Sequence, residues 1–108
     1  MLPNKVKVLR PEGILDNAKS SLFRQQISDL ISEGTNLILI DFKKVTFMDS
    51  SGLGALVLIL KMIRSSGGRL FLMSLNDQVK MLFDLTNMGN IFEIIEDKSE
   101  LEERLRNF

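Results

Sequence analysis

The sequence predicts an α/β fold on a mainly parallel sheet, and three observations carry that expectation. Short β-prone apolar runs alternate with longer segments of helical period. The runs at residues 37–40 and 69–73 are almost wholly apolar, as strands covered on both faces are. The chain has 108 residues, 44% of them hydrophobic, which suits one compact unit around one core. Repeated strand-then-helix units imply parallel pairing through right-handed crossovers.

The elements follow in order. Residues 6–10 have the composition of a half-buried strand. Asp16-Asn17 offers an N-cap, and Ala18, Leu22, Phe23, Ile27, Leu30 and Ile31 recur at helical spacing until Gly34 stops the helix. Lys19, Arg24, Gln25, Ser28, Asp29 and Ser32 fall on the opposite, polar face. Residues 37–40 form the next strand, and residues 45–48 resume it after Lys43-Lys44. A helix over residues 53–65 is predicted next, its stripe made by Leu53, Leu56, Val57, Leu60 and Ile63, with Gly67-Gly68 ending it. Residues 69–73 are a buried strand. Asn76 or Asp77 caps a helix to about residue 85, with Val79, Leu82 and Phe83 facing the core. A short strand at 91–95 and a charged helix at 99–106 close the chain.

Composition excludes much chemistry. There is no Cys, so no disulfide, thiolate nucleophile or thiolate metal site; there is no His, the commonest general base and metal ligand. Lys and Arg number 14, as do Asp and Glu, so no net charge draws the chain to nucleic acid or an anionic membrane. The longest nearly apolar stretch, at residues 53–63, falls short of the roughly 20 residues of a membrane span. Residues 1–5 carry no apolar leader. The expectation is a soluble, cytoplasmic protein without cofactor or metal.

Asp49-Ser50-Ser51-Gly52-Leu53-Gly54 is the most unusual segment. It lies where a strand ends and a helix begins, where amides lack internal partners and the helix dipole is positive. Asp and Ser there can cap the helix. Two glycines in a first turn cost roughly 0.5–1 kcal/mol each against Ala, so something should approach the backbone closely. A tightly packed, well-capped helix and an anion site both fit these residues. Enzyme readings fit poorly. Ser50 has no His base, leaving only Lys43 or Lys44; Gly52-Leu53-Gly54 lacks the third glycine of a dinucleotide fingerprint; Asp41 and Asp49 do not have metal spacing. No catalytic residue is expected.

Val45-Thr46-Phe47-Met48-Asp49-Ser50-Ser51-Gly52-Leu53-Gly54 resembles the signature of bacterial anti-sigma factor antagonists, which are STAS-domain proteins. The resemblance continues through Ile63-Arg64-Ser65-Ser66-Gly67-Gly68-Arg69-Leu70 and through residues 79–88. Gly13-Ile14-Leu15-Asp16 stands where the family usually shows Gly-Glu-Leu-Asp, so the Glu is absent here. The resemblance implies one STAS domain over residues 1–108: a mixed, mainly parallel sheet of about four strands with helices mainly on one face. It implies a partner switch rather than an enzyme. Ser50 would be phosphorylated by an anti-sigma factor that is also a serine kinase of GHKL type, releasing that partner, and a serine phosphatase would reverse the change. Asp49 would orient Ser50, Ser51 would start the helix, Gly52 and Gly54 would give backbone access, and Asp16 would share the rim. With Met48 and Leu53 these residues form the expected partner-binding set. The expected state is a monomer that does not touch nucleic acid directly. The alternative is a constitutive STAS scaffold in a transporter complex, or a signalling pathway without a sigma factor.

Overall fold

The computed structural model describes residues 6–106. The reading of residues 1–5 lies outside them. In chain order the elements are β1 (Val6–Leu9), β2 (Gly13–Leu15), α1 (Asn17–Ser32), β3 (Leu37–Asp41), β4 (Val45–Met48), α2 (Ser50–Ser65), β5 (Arg69–Met73), α3 (Asp77–Leu85), β6 (Glu93–Ile95) and α4 (Lys98–Arg106). A four-stranded sheet runs β1-β3-β5-β6, and β2 pairs with β4 in a separate two-stranded ribbon. Among the described residues every pairing is parallel, in keeping with the expected mainly parallel sheet of about four strands.

All five residues of β3 are buried, which accounts for its unbroken apolar run. Alternate side chains point to opposite faces. Ile38 and Ile40 join Leu70 and Leu72 in the larger core beneath α1, α2 and α3, while Leu37, Leu39, Phe71 and Met73 meet Leu101 and Leu105 of α4. Three helices thus cover one face and one covers the other. Arg69 and Glu93 tie β5 to β6 through two 2.6 Å hydrogen bonds. Those bonds hold the Arg69 guanidinium pKa above its usual value.

Five expectations need correction. The buried stripe of α1 is Ser20, Phe23 and Ile27, with Leu30 and Ile31 packed against the core as expected, but Leu22 is exposed. Leu22 lies off the line of that stripe, whereas Arg24 is half-buried rather than on a free polar face. In α2 the buried set is Leu53, Leu56, Ile59, Leu60 and Ile63; Val57 lies at its margin. The helix also starts at Ser50 rather than residue 53, because Asp49 is its N-cap. The last strand is shorter than expected, since Phe92 leaves the ladder to stack on Phe83 with ring centroids 5.4 Å apart.

Residues 45–48 form their own strand, β4, and its free edge is satisfied by side chains. Met48 N–H donates to Gln78 Oε1 at 2.9 Å, and Gln78 Nε2 donates to the Met48 carbonyl at 2.8 Å. Asn76 Nδ2 donates to the Val45 carbonyl at 3.1 Å while Asn76 Oδ1 caps α3. Gln78→Ala leaves both backbone groups of Met48 unpaired in a partly buried place. It is expected to cost about 1–3 kcal/mol, read as a lower urea midpoint at unchanged slope.

Candidate functional site

The site grows from the β2–β4 ribbon. Leu15 is in register with Met48, so Asp16 and Asp49 follow at the ends of two neighbouring parallel strands. Each caps a helix: Asp16 Oδ1 accepts from Lys19 N–H at 3.1 Å, and Asp49 Oδ1 from Gly52 N–H at 2.9 Å. The helices α1 and α2 therefore begin side by side, with their positive dipole ends on one rim, and pack together along their lengths. A short polar residue with extended backbone is what such a position takes. Asp16 has φ −106° and ψ −170°, Asp49 φ −99° and ψ −177°.

Ser50 is the first residue of α2, and it and Ser51 are exposed; Asp16 and Asp49 are half-buried beside them. Met48 and Leu53 belong to the core, 0% and 5% exposed, so neither presents a side chain to a partner. Their apolar bulk is what anchors the end of β4 and the first turn of α2.

The two glycines of the motif have different reasons. A Cβ on Gly52 would stand 2.2 Å from the Leu15 carbonyl oxygen and 2.9 Å from Met48 Cγ. The group that approaches Gly52 is the chain's own ribbon, so the expected backbone access there is overturned. Gly54 has nothing within 4 Å of that position and is open.

Two exposed apolar residues went unread from sequence. Ile14 and Phe47 are paired in register on the ribbon, 51% and 46% exposed. A signal was present: adjacent apolar residues on a strand, such as Phe47 and Met48, must point to opposite faces. Among the described residues no cluster of acidic side chains could hold a metal, and no helix is long and apolar enough to cross a membrane.

The result is a parallel α/β domain with two capped helix starts abreast and an exposed serine at one of them. The model of the STAS domain matches residues 3–101, and the chain belongs to the STAS domain family. A Thermotoga maritima protein named as a candidate anti-sigma factor antagonist is 36% identical over 102 residues, 94% of this chain and 90% of that one. The anti-sigma-B factor antagonist of Bacillus subtilis is 35% identical over 82 residues, 76% of this chain and 74% of that protein. The structure of the anti-sigma factor antagonist SpoIIAA in its unphosphorylated form superposes with a TM-score of 0.73 at 25% identity, covering 100% of this chain and 96% of that one.

Proposed function

We propose that this chain is an anti-sigma factor antagonist that switches partners through phosphorylation of Ser50. The observation that carries the reading is an exposed hydroxyl at the first position of α2, flanked by the half-buried Asp49 and set on a rim shared with Asp16. The similarity to named anti-sigma factor antagonists supports it. The partner is an anti-sigma factor with serine-kinase activity, of GHKL type, and a serine phosphatase resets the switch. The antagonist itself is a substrate rather than a catalyst, and acts as a monomeric STAS domain in the cytoplasm without touching nucleic acid.

Asp16, Asp49, Ser50, Ser51 and Gly54 form the polar part of the docking rim, and Ile14 with Phe47 adds an apolar contact beside it. Asp49 holds the first turn of α2, on which Ser50 sits, through Gly52 N–H. Ser51 keeps the second position of the helix small and polar. A phosphoryl group at a helix start is compatible with the dipole, so the domain keeps its shape while its surface charge changes by about −1.5 to −2.

The test is a mass-shift assay with ATP and the kinase retained by a Ser50→Ala bait from the native cell. One phosphoryl group mapped to Ser50 is the expected result. Phosphate on Ser51 or Thr46 overturns the assignment, and retention of a transporter ATPase in place of a kinase replaces the switch with a constitutive scaffold.

A further inference from the structure

The N-terminal halves of α1 and α2 line a groove of about 290 Å³ that includes Ser20, Ser21, Arg24, Ser51, Gly54 and Leu58. Two polar atoms of the residues that line it have no partner among the described residues. Ser20 is 3% exposed with its Oγ unbonded, and Arg24 Nε is buried without an acceptor. Leaving a buried N–H or O–H unpaired costs about 1–3 kcal/mol, more for a charged group. A hidden water does not rescue Ser20. The void of about 10 Å³ on its inner side is otherwise lined by Leu15, Phe23, Gly52, Ala55, Leu56 and Ile59, and a trapped water needs about two to four polar partners.

We propose that this groove is an oxyanion site that takes phosphate or a small phosphomonoester. Arg24 is the one charged side chain of its lining. Ser20 and Arg24 line the groove from α1 and Ser51 lines it from α2, so residues able to donate stand on both walls. That disposition suits a tetrahedral group with several acceptor oxygens better than a planar carboxylate. Asp16 and Asp49, which cap the two helices, are engaged by Lys19 N–H and Gly52 N–H. The Ser21 hydroxyl donates to the Asn17 carbonyl at 3.2 Å and is not counted as a donor. Open space over Gly54 leaves room for the guest against the α2 backbone. The two parallel helix starts add positive potential, which the unpartnered Ser20 and Arg24 turn into a built site.

The site does not depend on the switch reading, and its test uses the unmodified protein. Inorganic phosphate is titrated at constant ionic strength while backbone amides and the Arg24 Nε–H are followed by NMR. Saturable shifts at Ser51, Gly54 and Arg24 Nε–H are expected. Arg24→Gln should weaken binding about tenfold or more, and Ser20→Ala by a smaller factor, with well-dispersed spectra in both. If Arg24→Gln loses dispersion, Arg24→Lys keeps the charge without the Nε–H and should also weaken binding. Shifts that grow linearly without saturation, or that persist in Arg24→Gln or Arg24→Lys, mean an adventitious ion only and overturn the proposal. Protein phosphorylated on Ser50 separates the sources. An Arg24 Nε–H already displaced and deaf to added phosphate assigns the site to the chain's own phosphoryl group; continued saturable binding assigns it to phosphate from solution.

Discussion

Gly52→Ala is expected to destabilise the fold by about 3 kcal/mol, while Gly54→Ala is neutral or stabilising by up to about 1 kcal/mol. The contrast is informative because both glycines lie in the first turn and a half of α2 and share its backbone conformation. Helix propensity alone gives the same sign at both positions. At Gly52 the added methyl would meet a carbonyl oxygen at 2.2 Å, and that oxygen belongs to Leu15, at the end of the strand that positions α1. Relief requires α2 to back away from the ribbon, loosening the Asp49 cap and the burial of Met48 and Leu53 together. At Gly54 the methyl enters open space and only the entropic cost of glycine is removed. Urea denaturation of the two variants decides the matter. Equal effects at 52 and 54 would show that the ribbon and α2 are not in contact as described.

What the sequence made legible, and what it hid, divides by the range of the forces involved. The parallel core strands were readable because Leu37, Ile38, Leu39 and Ile40 show no alternation, a local mark of burial on both faces. The stretches that hold the helix caps were also readable, since a cap depends only on residues three positions away. That the caps are Asp16, Asp49 and Asn76, and that α2 therefore begins at Ser50, comes from the structure. The strand Gly13–Leu15 was missed. It has three residues, too few for a period, and exists through pairing with residues 45–48 more than 30 positions on. The reason for Gly52 was hidden for the same cause, because the crowding oxygen comes from that unread strand. Arg24 shows the opposite failure. Its charge placed it on the polar face, yet the contact between α1 and α2 buries its Nε. Ser50 was singled out by its motif, and only the fold could show that its side chain stands clear of the core.

Ser50→Asp is expected to lower affinity for the partner kinase about 100-fold or more without lowering stability, and this separation of readouts is the strongest test of the switch. The stability side follows from helix electrostatics. A carboxylate at the first position of α2 faces the positive dipole end, which favours it by about 0.3–1 kcal/mol. The binding side follows from desolvation. A docked partner removes water from a new charge beside Asp49, and an unpaired buried charge costs about 3–5 kcal/mol, whereas a 100-fold change needs about 2.7 kcal/mol. Even a half-solvated interface therefore suffices. Ser50→Ala carries no charge, keeps the cap on Asp49, and should bind within about threefold of the unmodified chain. Calorimetric titration of each variant against the kinase, beside urea melts of the same samples, measures both quantities. Undiminished binding by Ser50→Asp would remove charge as the switching agent. Lost binding by Ser50→Ala would mean that the hydroxyl itself is a contact, and that phosphorylation acts by removing a hydrogen bond as well as by adding charge.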